Sequence, residues 1–166
     1  QLHPDLPLAY NNYALTMKRE GRYLEEEALY RQALALDPMD THVLNNLAVC
    51  LAHQGRFDEA LVQMDRLDEI DPDDVYAKLH RAKIYAAMGK RNKALRALSR
   101  ALKDSDSLDT MHHIEFRQDI RLDPVFDGLR KDPRFARILR DAYGSEAEYL
   151  LSGGGRDGHA IGGSRG

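Results

Sequence analysis

Gly21, Gly55 and Gly89 stand 34 residues apart, and so do Pro4, Pro38 and Pro72. No other feature constrains the chain as strongly. A sequence that repeats must fold into a unit that repeats, and a unit this short cannot bury a core without its neighbours. Further columns keep the same offset: Ala14, Ala48 and Ala82; Met17, Leu51 and Tyr85; Tyr30, Met64 and Leu98; Ala33, Leu67 and Ala101. The unit occurs three times, beginning near Pro7, Thr41 and Val75.

Within a unit the apolar residues recur at three and four positions, the spacing of a helix face, and they do not alternate as in a strand. Leu44, Leu47, Ala48 and Leu51 run up to Gly55. Phe57, Ala60, Leu61, Met64 and Leu67 then run up to Asp71 and Pro72. Each unit is therefore expected to be a pair of helices. Glycine ends the first because it enters the left-handed region without a Cβ penalty, and proline cannot continue the second. The small column Ala14, Ala48 and Ala82 is expected to face Ala60 and Ala94 so that paired helices approach closely. Tyr30, Met64 and Leu98 would fill the space between successive pairs.

In the first unit Tyr10, Tyr13-Ala14, Met17, Gly21, Tyr23, Tyr30, Ala33 and Pro38 follow one order of large, small and turn residues. In the second, Leu44, Leu47-Ala48, Leu51, Gly55, Phe57, Ala60, Met64 and Pro72 follow it again. This pattern resembles that of the tetratricopeptide repeat family, and the resemblance covers residues 7–106. It implies an all-α, right-handed solenoid of helix-turn-helix repeats at 7–40, 41–74 and 75–106. Residues 107–151 are expected to be a capping segment of short helices and 152–166 a glycine-rich flexible tail. The chain departs from the family pattern at Glu26, where alanine is preferred, at Arg81, where a large apolar residue is preferred, at Arg91 and at Asp106.

After residue 106, Leu108, Met111, Ile114 and Phe116 predict a helix that covers the last repeat. Asp123-Pro124 and Asp132-Pro133 each place an acidic N-cap before a proline at the first helical position. They predict two short helices carrying Val125, Phe126 and Leu129, then Phe135, Ile138 and Leu139. Ser145 with Glu148 has the spacing of a capping box. Arg81, in a column normally buried, is expected to pair with Glu115 or to reach water along its stem.

Chemical motifs are absent or out of context. Gly153, Gly155 and Gly158 match GxGxxG, but no strand precedes them and no helix follows. His112 and His113 point about 100° apart on a helix, so only one could face a given metal. Cys50, the single cysteine, reads as a packing residue within a helix, and Glu25, Glu26 and Glu27 as a solvated helix face. No catalytic residue, cofactor or metal is expected, and the reading is not an enzyme. A formal charge of -3 gives no general attraction for nucleic acid. No apolar run approaches the roughly 18 residues of a membrane span, and QLHPDLPLAY is no secretory leader. A cytoplasmic protein is expected, or a trimmed piece of something longer.

Function must then come from surface. Stacked helix pairs curve, and the first helix of each pair lines the inner wall. The resemblance implies that this wall carries Leu8, Asn11, Asn12, Leu15, Lys18 and Arg19; His42, Asn45, Asn46, Val49, Ala52 and His53; and Tyr76, Leu79, His80, Lys83, Ala86 and Ala87. Amides donate and accept at once, so Asn12 and Asn46 suit the backbone of an extended peptide. The residues do not match the carboxylate clamp of chaperone-binding members, of which only Asn46 is present. Lys18, Arg19 and Lys83 favour an acidic or carboxylate-bearing partner. The expectation is a non-enzymatic adaptor or scaffold that binds a partner's peptide or helix in the concave groove. The alternatives are a regulatory or substrate-recruiting segment of a larger transferase or kinase, and a self-assembling homo-oligomer.

Overall fold

The computed structural model describes residues 10, 13–14, 16–18 and 20–152. Asn11, Asn12, Leu15, Arg19 and the tail 153–166 lie outside the described residues. Residues 10, 13–14 and 16–18 are helical. After them come α1 (Tyr23–Leu36), α2 (Thr41–His53), α3 (Phe57–Ile70), α4 (Val75–Ala87), α5 (Arg91–Asp104) and α6 (Thr110–Leu122). Three short helices follow: α7 (Asp127–Arg130), α8 (Pro133–Tyr143) and α9 (Ala147–Leu151). No strand occurs among the described residues.

Each turn inside a hairpin has one construction. Gly55 has φ +75°, its N–H donates to Ala52 O at 3.0 Å, and the Arg56 N–H donates to Leu51 O at 2.9 Å. These two bonds satisfy carbonyls that the end of α2 would otherwise leave open, and they require a left-handed residue between them. Gly21 and Gly89 repeat the arrangement at φ +70°. The other end of each first helix is set by an aspartate. Asp40 accepts from the Val43 N–H at 3.0 Å and Asp74 from the Ala77 N–H at 2.9 Å, which caps α2 and α4.

Packing follows the columns. Ala14, Ala48, Ala60, Ala82 and Ala94 are all fully buried, and so are Tyr30, Met64 and Leu98. Helix α2 packs on α1 and α3, and α4 packs on α3 and α5, so each hairpin rests on the next. The core does not stop at α5. Leu79, Leu95, Leu98 and Leu102 share one cluster with Phe116, Ile120, Phe126, Leu129, Phe135, Leu139 and Leu150. Each such side chain contributes about 1.5–3 kcal/mol by burial, so residues 110–151 share in the core of the last hairpin.

The structure corrects four expectations. Glu26 and Glu27 are not a solvated face; they are 1% and 8% exposed, because their side of α1 packs against α2. Arg81 does not meet Glu115: its guanidinium lies 2.9 Å from both Asp65 and Asp68 on α3, the helix beside which α4 packs. Helix α6 buries Phe116 and Ile120 while Met111 and Ile114 stay exposed, so its covering face is rotated from the one expected. Ser145 and Glu148 form no capping box. Ser145 sits in a 3-10 turn, and the Glu148 carboxylate is held by Arg140 at 2.9 Å. The two aspartate-proline starts are as expected, with Asp123 accepting from the Val125 N–H and Asp132 from the Arg134 N–H.

Candidate functional site

The groove is built from one side of each of two first helices, with Ile84 buried at its base. On α2 these are Val49, Ala52 and His53; on α4 they are His80, Lys83, Ile84 and Ala87. Lys18 reaches it from the preceding helical residues. Positions 49 and 53, like 80, 83, 84 and 87, recur at three and four residues, so each set falls on one helix face. A third wall comes from the far end of α6 and the turn after it, through Asp119, Asp123, Pro124 and Val125. The space between has a volume of about 480 Å³.

The imidazole of His80 anchors the floor. Its Nδ1 lies 2.8 Å from Asn45 Oδ1. Burial, and then the positive charges of Lys83 and Lys18, push its pKa down to about 3. At neutral pH the ring is uncharged, and Nδ1–H donates to the amide oxygen. The His53 ring stacks on Tyr23 with centroids 5.5 Å apart and planes 9° from parallel. Its pKa is lowered by desolvation and then by Lys18, with Asp123 opposing.

Lys83 does not offer a free charge. Its Nζ lies 2.5 Å from Asp119 and 3.0 Å from Asp123, so the cation expected to attract an acidic guest is already neutralised from within. Tyr76 is engaged as well. Its hydroxyl donates to His112 O at 2.8 Å, and its ring meets Phe116 edge-on at 6.1 Å. Burial of that hydroxyl raises its pKa to about 12.

Of the residues expected on the wall, Val49, Ala52, His53, His80, Lys83 and Ala87 come together around the groove with Lys18. Leu79 does not face it: its side chain is fully buried in the core cluster with Leu98 and Phe116. Leu8 lies outside the described residues. His42 is exposed elsewhere, Asn45 supports His80 from behind, and Asn46 has interactions of its own. Asn11, Asn12, Leu15 and Arg19 are outside the described residues. The wall of Asp119, Asp123, Pro124 and Val125 was missed. Asp123-Pro124 was visible as a helix start, but nothing local tells which way the segment it begins will fold.

Among the described residues no cluster of three His, Cys, Asp or Glu side chains is placed to hold a metal. Cys50 is fully buried, its thiol donates to Tyr23 O at 3.3 Å, and burial pushes its pKa up to about 12, the opposite of an activated nucleophile.

Helical hairpins stacked in tandem, each closed by the same glycine turn and leaving a groove along their first helices, define an all-α repeat solenoid. Two family models match the chain, both described as tetratricopeptide repeat, one over residues 18–84 and the other over 76–107. A search of curated proteins found no match. The chain belongs to the tetratricopeptide repeat family. Repeats of this family are generally protein–protein interaction modules and are typically non-catalytic. No helix among the described residues is long and apolar enough to cross a membrane.

Proposed function

We propose that this protein is a non-enzymatic adaptor that holds an extended peptide or a helix of a partner protein in the groove between α2, α4 and the end of α6. The observation that carries the reading is the groove's make-up. Val49, Ala52, Ala87 and Val125 supply apolar surface over the buried Ile84, while His53, His80 and Lys18 converge on it as a few polar groups. A concave apolar space with sparse polar groups is the usual form of a binding site. Because Lys83 is already paired with Asp119 and Asp123, the anchor is an apolar side chain of the guest and not its charge. Polar atoms of the peptide backbone meet the imidazoles. Affinity in the micromolar range, about -8 kcal/mol, suits a site of this kind. Three repeats at 7–40, 41–74 and 75–106, backed by 107–151 as a cap, make up the same proposal, as does a cytoplasmic setting.

Selection of peptides from a random phage-displayed library on the whole chain tests it. Sequences with a recurring apolar residue should be enriched, and binding of the selected peptides should fall at least tenfold in A52Q/A87Q, which fills the groove with neutral side chains on the same helices. Circular dichroism and melting of that variant should stay close to the parent. Equal binding by parent and variant would move the site elsewhere.

A further inference from the structure

A second surface lies outside the groove and shares no residue with it. Helix α5 carries five cations, Arg91, Lys93, Arg96, Arg100 and Lys103, against one acid, Asp104. Lys93, Arg96 and Arg100 are spaced by three and four, are exposed, and stand in a line along one face. Together with Arg81 and Tyr85 of α4 they border a hollow of about 290 Å³. None of the three is paired with an acid, among the described residues, although the chain as a whole is acidic at -3. The Lys93 ammonium rests over the Tyr85 ring at 5.4 Å.

The acids that could have neutralised this line are engaged elsewhere. Asp68 borders the same hollow, but it and Asp65 are held by Arg81 at 2.9 Å. Arg96 and Arg100, four apart on a helix, repel one another, and a bound anion removes that cost. Two guanidinium forks and an ammonium match carboxylates, which each fork can hold through two hydrogen bonds.

We propose that this face of α5 docks a short acidic segment of a partner protein, a run rich in Glu or Asp. The length follows from the helix rise: Lys93 to Lys103 spans about 15 Å. At about 3.3 Å per extended residue, that is four or five residues of guest. The neighbouring helix sets the limit. Helix α3 carries five acids against the single Arg66, so a long polyanion such as a nucleic acid would be repelled where a short acidic run is not. A second copy of this chain is the poorer guest. Its most acidic helix is α3, whose Asp65 and Asp68 are bound by Arg81 and whose Glu59 is bound by Arg56 at 2.6 Å.

The probe is a fluorescein-labelled hexaglutamate peptide, read by anisotropy on the whole chain in about 50 mM salt, where exposed charges are least screened. Hexaglutamine is the control. Binding should be seen for the first and not the second, should weaken at least tenfold in K93Q/R96Q/R100Q, and should fall as salt is raised. A52Q/A87Q should bind the acidic peptide as the parent does, which separates this surface from the groove. All three changed side chains are exposed, so the triple variant should keep its helicity. Absence of hexaglutamate binding by the parent, or equal binding by the triple variant, overturns the proposal. Loss of binding in A52Q/A87Q alone places the acidic guest in the groove and overturns it too. A salt-sensitive dimer seen by sedimentation and abolished by the triple variant makes a second copy the occupant, with the same result.

Discussion

Glu26 lies near Tyr30 and Cys50, and among the described residues neither its carboxylate oxygens nor the Tyr30 hydroxyl has a hydrogen-bond partner. Burial is the chief cause that raises the Glu26 pKa above the ordinary carboxylate value. A group whose folded pKa is raised contributes stability while it stays protonated, and that contribution is lost as pH rises through the raised value. Charged Glu26 is therefore a cost at neutral pH. E26Q, which keeps the shape and removes the charge, should stabilise the protein by about 1–2 kcal/mol at pH 7.5 and give little gain at pH 4, as read by urea denaturation. His80 has the opposite sign. Its pKa is lowered from 6.5 to about 3, so its contribution is complete above pH 6.5 and is lost as pH falls. The comparison must be between variant and parent at each pH, because the parent loses His80's contribution as Glu26's cost disappears. Glu27, the next residue, shows what pairing changes. Burial pushes its pKa up, yet hydrogen bonds from Gln54, Arg31 and Arg56 outweigh that and hold it low. Its bond to Arg56, 2.5 Å, ties α1 to the turn of the next hairpin.

Elements begin and end where the chain states it most plainly. At Gly55 a Cβ would meet nothing within 4 Å, so the cost of adding one is conformational and not steric. G55A should lower stability by about 1–2 kcal/mol through the left-handed φ alone. Thermal melting checks this, and the hydrogen bonds around the turn should persist. Glycine positions were legible in the sequence because a left-handed residue after a helix is a local demand that few side chains meet. The aspartate caps of α2 and α4 are as local, and Asp40 and Asp74 sit three before the amides they accept from. Arg81 was not legible in the same way. Its column announced a misfit, but its partners, Asp65 and Asp68, lie on a different helix, and their closeness depends on how α3 and α4 cross.

Across the whole molecule the segment after α5 behaves as a continuation of the last hairpin. Phe116 is fully buried against Tyr76 and belongs to the cluster that holds Leu79 and Leu98. F116A should cost about 3–5 kcal/mol, the usual loss for a buried phenylalanine. Amide exchange should then rise in α4 and α5 together with α6. Faster exchange confined to α6 would show that the segment is a separable appendage. The same packing carries Asp119 and Asp123 to Lys83, so the groove's charge is decided by the arrival of α6 and not by the hairpins that form its floor.

The repeated helices, their glycine ends and the burial of Ala48, Ala60, Tyr30, Met64 and Leu98 could all be read from spacing. Burial and backbone conformation repeat with the period of the chain, and residues a few positions apart dictate them. Which acid holds Arg81, whether Lys83 is free, and which face of α6 turns inward depended on the folded molecule. Those contacts join side chains 13 to 40 positions apart, and their geometry is set by the angles at which helices cross, a property that no short stretch of sequence carries.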